Sequence, residues 1–247
     1  MDATLQKFRH EFRATRFRRG YSGPLHFATS MAIGLALTAG LLSLVHAPSW
    51  AELSAAPLTF LYANAMEYLG HRGPMHRRYR WSRLLNALFE RHAAAHHRFF
   101  TRDAMLAESS TDWQVILGHP VFLVFFFGVI GLPSGLLLAP FVTTNVLCLF
   151  AATALVYALT YELLHLAYHL PPESWIGRLP GLATLRHHHQ VHHDPRLMAK
   201  YNFNVTFPIT DWVVGTWFPV RETRAAGSPP LSVSSGKPSG PRAALHV

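Results

Sequence analysis

Positive charge is missing from two long stretches of this chain, and that absence constrains its fold more than any other feature. All 22 Lys and Arg fall in three blocks, six in residues 1–24, eight in 72–102 and eight in 178–247, while 25–71 and 103–177 carry none. The silent intervals are the apolar ones, and loops rich in Lys and Arg stay on the cytoplasmic side of a membrane. With every basic block cytoplasmic, each silent interval crosses the bilayer an even number of times. Four helices satisfy this. Half of the 247 residues are hydrophobic and 14% are charged, a balance that leans toward a membrane protein. The net charge of +9 therefore reads as inside-facing charge, and no nucleic-acid partner is expected.

The spans expected are Leu25–Val45, Ala51–Leu69, 113–132 and 141–169, with a short turn at Leu132–Gly135 between the last two. A spanning helix needs roughly 20 residues, and Leu25–Val45 exceeds the roughly 7 to 15 of a signal-peptide core, so it reads as a retained anchor. A last helix running from Phe141 to His169 overshoots a hydrocarbon core of about 30 Å and carries His165 and His169 out of the lipid. Residues 1–24 set Leu5, Phe8 and Phe12 among Lys7, Arg9, Arg13, Arg16, Arg18 and Arg19, as in a basic interfacial helix or a basic tail. Trp81, Leu84, Leu85 and Leu88 share one helical face, marking an amphipathic helix. FNVTFPITDWVVGTW reads as a lid or re-entrant piece, and from Ala225 the chain turns to Ser, Pro and Gly, which cannot bury enough apolar surface to fold. The expected organisation is a basic segment 1–24, a membrane domain 25–220 and a disordered tail 221–247. The fold class is all-α and integral to the membrane, with four transmembrane helices and a cytoplasmic, histidine-rich helical cap. Cys148 is the only cysteine, so there is no disulfide framework and no cysteine-held cluster.

Seven of the 17 histidines lie between Tyr161 and Thr206. His165 and His169 share a helical face, as do His189, His192 and His193, and so do His92 and His96 with His97 adjoining. His71 and His76 would stand about 140° apart on one continuous helix; a break at Gly73 and Pro74 would let both face one site. These four segments bring ten histidines to one cytoplasmic boundary. Burying so many imidazoles without partners is costly. Imidazole suits Zn, Cu, Fe and Ni, a structural zinc takes four ligands, and ten donors suit two ions. Their place at the surface, away from the midplane, disfavours a transporter.

In their order and between membrane spans, HRGPMH (His71, His76), HAAAHH (His92, His96, His97), HLAYH (His165, His169) and HQVHH (His189, His192, His193) resemble the histidine boxes of the fatty acid hydroxylase and sterol desaturase superfamily. Glu67 and Tyr68 ahead of the first box, and NFNVT and DWVVGT after the last, resemble their surroundings. The likeness covers about residues 60–217. It implies two iron ions held by the ten histidines, with zinc possible in the isolated protein, and O2 and two electrons used to hydroxylate or desaturate a C–H position of a fatty acyl, sterol or carotenoid lipid. Hydroxylation is the choice by analogy. No further catalytic residue is assigned beyond the metal centre. The second box departs from the family, HxxxHH standing where many members have HxxHH. His187 and His188 are either a ligand or donor, or solvated neighbours; His10, His26, His46, His119 and His246 lie outside the boxes.

Metal-bound imidazoles usually donate their other N–H to a carboxylate or carbonyl. Glu67, Glu162, Asp194 and Asp211 are the carboxylates expected to serve. No haem or flavin motif is present, so electrons are expected from a separate redox protein, with Arg77, Arg78, Arg80, Arg98 and Arg102 available to an acidic donor. The lipid bilayer and a membrane lipid substrate are the other expected partners. A non-catalytic membrane metal-binding or transport protein is the alternative from another class.

Overall fold

The computed structural model describes residues 2–118, 124–174 and 176–218. Among these the regular elements are all helical, with one isolated bridge between Thr101 and Ala104. Two helices are long and apolar enough to cross a membrane, α2 (Gly23–Ser43) and the later α8 (Thr144–Tyr168). They pack along each other. At Gly34 a side chain would stand 2.6 Å from Leu159, so glycine is what permits this approach. Outward residues such as Leu35, Leu42 and Val156 are about half exposed, the pattern of helices whose other face meets lipid. Ser22 and Thr143 cap the two N-termini through Leu25 N–H and Val146 N–H, satisfying donors that a helix start leaves open.

Between them lie α3 (Trp50–Leu53) and α4 (Ala55–Gly70). Glu52 closes a capping box with Ser49 and accepts from Thr143 and Asn145, and Asn145 bonds both N–H and C=O of His46. This polar knot ties the hairpin ends opposite the histidines. α5 (Arg83–Arg91) follows, then α6 (His97–Phe99), α7 (Leu132–Leu138), α8, α9 (Leu182–His192) and α10 (Ile209–Val214). The expected leucine face of α5 is present: Leu88 is buried with Met75 and Phe125, and Leu84 and Leu85 pack on them. Trp81 precedes the helix and stays exposed.

Several expectations change. Leu132–Gly135 is the start of α7, not a turn, because Pro133 sits in the first helical turn, where its missing N–H costs nothing. α8 begins at Thr144, not Phe141, since Val142 is extended and Thr143 caps. Residues 113–118 do not open a continuous span. Asp112, fully buried, accepts from Arg13 and from the N–H groups of Glu108 and Ser109, holding Ser110–Val115 as a 3₁₀ turn. Gly73 and Pro74 do not break the chain; His71–Met75 is a π-helical turn that continues α4. The expected tail 221–247 lies outside the described residues.

The N-terminal segment is a helix, not a frayed tail. α1 (Ala3–Arg16) docks on the cap, with Phe8, Phe12 and Phe17 packed on Phe99, Phe100 and Ile116. Arg9, 1% exposed, donates to the carbonyls of Phe99 (2.8 Å) and Ala104 (2.6 Å) and to Glu108 (2.8 Å). A buried cation held this way is costly to remove, so Arg9→Ala should cost roughly 3 kcal/mol or more. Thermal unfolding in detergent measures it; a loss near zero would mean that α1 is not anchored by this contact.

Candidate metal centre

The site is built where α4, α8 and α9 end and the chain between α5 and α6 turns inward. Two π-helical turns shape it, His71–Met75 and His92–His96. An α-helix places residues i and i+5 on different faces, whereas the wider π turn, closed by i→i+5 bonds, brings them together. His71 and His76 rings accordingly stand 5.0 Å apart, and His92 and His97 Nε2 atoms 3.0 Å apart. The extra residue of HAAAHH is thus absorbed as a π turn. It sends His92 and His97 one way and His96 the other.

The imidazoles gather in two sets. His71, His76, His92, His97 and His192 form one, and His96, His165, His169 and His189 the other, the ligating atoms within each lying no more than 4.8 Å apart. His193 adjoins the second set, its Nε2 3.2 Å from His96 and 3.0 Å from His189, and its ring stacks on His97. His76 is partly exposed; the other nine are buried.

Five of the outward nitrogens reach backbone carbonyls, whereas Nδ1 of His97 and of His189 meets no partner among the described residues. Nδ1–H of His71 donates to Phe203, of His96 to Val115 (2.8 Å), of His169 to Met105 (2.7 Å), of His192 to Tyr201 (2.9 Å) and of His193 to Phe100 (2.6 Å). A carbonyl only accepts, so these rings carry hydrogen on Nδ1 and turn the Nε2 lone pair inward. The Nε2 atoms approach one another at 2.7 Å (His71–His92), 3.0 Å (His76–His192), 3.1 Å (His96–His165) and 3.4 Å (His169–His189). Facing lone pairs repel unless a cation stands between them. Nitrogens about 2.1 Å from a shared ion are about 3.0 Å apart at a right angle and about 3.4 Å apart in a tetrahedron. The spacings of 3.0–3.4 Å fit that donor set, and His71–His92 at 2.7 Å is tighter. Burial, with His192 and His193 close by, takes His76 down to about 2, and burial takes His192 down to about 4. His92, His97, His189 and His193 also sit well below the ordinary imidazole value, burial being the main cause. All are neutral near pH 7, as metal binding requires.

A family model described as Fatty acid hydroxylase matches residues 56–216. The chain belongs to the fatty acid hydroxylase family. No curated protein and no solved structure matches it. The match runs from α4 to the end of the lid, the segment 201–216 that contains α10 and sets its Tyr201 and Phe203 carbonyls on His192 and His71, and takes in all ten histidines, leaving α1 and α2 outside.

The carboxylates expected to hold histidines in this fatty acid hydroxylase family member do other work. Glu67 accepts from Val205 N–H (2.5 Å), Thr206 N–H (3.0 Å), Thr206 Oγ1 (2.7 Å), Asn204 Nδ2 (3.2 Å) and the Tyr157 hydroxyl. Asp211 accepts from the N–H groups of Phe203 (2.9 Å) and Asn204 (2.6 Å) and from Thr216. Burial would raise its carboxyl, but His188 and those N–H groups hold it below the usual carboxylate range. The two acids therefore grip the loop 201–206, whose Tyr201 and Phe203 carbonyls orient His192 and His71. Their influence on the histidines passes through one peptide link, because backbone carbonyls already occupy the ring N–H groups. Asp194 pairs with Arg196 (2.7 Å) and Arg102 (3.0 Å), and Glu162 accepts from Gly118 N–H (2.8 Å).

His188 is buried but turned away from both sets, its Nε2 3.6 Å from Asp211, and His187 is half-buried. Sequence reading missed Asn64, Asn204, Thr206 and Tyr157, the polar partners that join the lid to α4 and α8. NFNVT was noted only for its likeness to the family.

One small cavity touches the histidines, and a larger one lies next to it. The first, of about 20 Å³, room for a water-sized molecule, touches His92, His96 and His165 and is bounded by Val115, Gly118 and Tyr161. The other, about 480 Å³, lies among α2, α4, residues 126–131 and α8, lined by groups such as Ile33, Leu37, Met66, Phe126 and Phe150. Gly118 and Tyr161 border both.

Proposed function

We propose that this protein is an O2-dependent di-iron oxygenase of the membrane that hydroxylates a C–H position of a lipid. The observation that carries the reading is the convergence of two sets of imidazole nitrogens beside a mainly apolar cavity large enough for a small-molecule ligand, in a member of the fatty acid hydroxylase family. His71, His76, His92, His97 and His192 would hold one iron and His96, His165, His169, His189 and His193 the other. Bound iron would supply the activation of O2 that attack on an inert C–H bond requires.

The chain's own residues do the rest. The Val115, Phe203, Tyr201, Met105 and Phe100 carbonyls fix the rings and their tautomers. Glu67 and Asp211 hold the loop that carries two of those carbonyls. The apolar lining of the large cavity keeps bulk water from the reacting position and takes up the lipid chain. Electrons come from a separate redox protein that meets the basic face of the cap. Four crossings, α2, α3–α4, the segment 124–141 and α8, leave both termini and the histidines on the cytoplasmic side with the three basic blocks. Residues 25–220 act as one domain.

The test is lipid mass spectrometry of host membranes containing the wild type or His169→Ala, with native redox partners present. The expected result is a lipid with one added oxygen, formed by the wild type alone. Loss of two hydrogens instead would make the protein a desaturase. Neither product, with iron-loaded protein in the membrane, would refute the oxygenase reading and leave a metal-binding role.

A further inference from the structure

The large cavity has two carboxylates in a wall otherwise rich in Ile, Leu, Met and Phe, Glu67 and Glu162. They differ in one respect. Both oxygens of Glu67 are taken by the five donors of the lid clamp. Glu162 uses Oε2 for Gly118 N–H, and its Oε1 makes no hydrogen bond with any described residue. A carboxyl in an apolar wall that leaves an acceptor unused is costly, and a ligand that brings a donor removes that cost.

Its position says where the donor stands. Glu162 lies three residues before His165 on α8, so the two side chains share a face, about one turn apart. Its partner Gly118 and its neighbour Tyr161 are the residues common to both cavities. A group bound at Oε1 therefore sits at the inner end of the large cavity, next to the histidines. Resting on the oxygenase reading above, we propose that the substrate is a neutral lipid bearing a hydroxyl, and that Glu162 reads this hydroxyl so that the carbon oxidised lies a few bonds from it.

The chemistry of a carboxyl selects the class. It accepts from a hydroxyl whether or not it is ionised. A free fatty carboxylate or a phosphate would bring acceptors and negative charge to an acceptor in a low-dielectric wall. A plain hydrocarbon would leave Oε1 as it is. Discrimination by a site that hydrogen-bonds a substrate hydroxyl exceeds what one more methylene in an apolar pocket can give. The apolar remainder of the lipid fills the space between α2, α4 and α8.

The experiment is competition photolabelling of the full chain in nanodiscs, with and without iron. The probe is a diazirine-bearing eighteen-carbon alcohol, displaced by octadecanol, octadecane or octadecanoate. The expected result is that octadecanol competes at least ~10-fold better than octadecane, with octadecanoate no better than the hydrocarbon. Glu162→Leu should equalise alcohol and hydrocarbon without weakening the hydrocarbon, and Glu162→Gln, which keeps an acceptor oxygen, should retain part of the preference. Iron content and thermal unfolding of each variant show that it is folded. Equal competition by alcohol and hydrocarbon in the wild type, a preference that survives Glu162→Leu, or no specific labelling overturns the proposal. Binding needs no turnover, so alcohol preference without any oxidised lipid would defeat the oxygenase reading and leave only the binding of a hydroxyl by Glu162. Lipid oxidation without that preference would do the reverse.

Discussion

On the proposed two-metal assignment, replacing His192 by alanine is expected to remove one of the two ions and to lower turnover by about three orders of magnitude, as loss of several kcal/mol of metal-assisted catalysis implies. His192 closes its set: Nε2 lies 3.0 Å from that of His76, the ring centroid is 4.5 Å from His71, and Nδ1–H is held by Tyr201. Its removal leaves four nitrogens that no longer surround a point. His169→Ala should empty the other set, and His188→Ala, beside Asp211 and outside both sets, should leave metal content unchanged. Metal analysis of the purified variants separates these cases. Two ions retained by His192→Ala, or a loss equal to it in His188→Ala, would falsify the division into sets.

Glu67→Ala is expected to cost roughly 3–5 kcal/mol, lowering the thermal midpoint in detergent by roughly 10 °C. Four protein groups besides Tyr157 lose their acceptor, and each was brought to Glu67 from the lid more than a hundred residues later in the chain. The loop 201–206 then loosens, and with it the carbonyls on His71 and His192, so iron should also bind about 10- to 100-fold more weakly. Glu67→Gln should recover only part of the loss, because its NH2 group meets donors where an oxygen stood. A midpoint within about 2 °C of the wild type and unchanged iron retention would show that the lid is held by other contacts.

The histidines were legible because their signal is local. Spacings of three and four within an α-helix put side chains on one face whatever surrounds the helix, and three such segments in one chain left few other uses, although the fold parts His92 from His96 and His192 from His189 and His193. The spacing of five in His71–His76 and in His92–His97 carried no such guarantee. It places rings together only in a π turn, and π turns form where the surrounding packing holds them. The assignment of His96 to one set and its neighbour His97 to the other follows from that turn.

The apolar intervals were legible in the same local way, and α2 and α8 fall within them. What packs on them was not. α1 has the composition of a surface segment, yet Arg9 is buried because Phe99, Ala104 and Glu108, some ninety residues on, present three acceptors at one point. Glu67 and Glu162 were placed near histidines by sequence distance. Backbone carbonyls took the ring N–H groups first, leaving Glu67 to the lid and Glu162 to Gly118.

Sequence alone determined which stretches are apolar and that imidazoles recur at helical spacing, because hydropathy and spacing are properties of neighbours in the chain. Tertiary structure decided the partners of buried groups such as Arg9, Glu67 and His71. Such a group takes whichever donor or acceptor the fold brings within about 3 Å, and that choice is made between segments that the chain holds far apart.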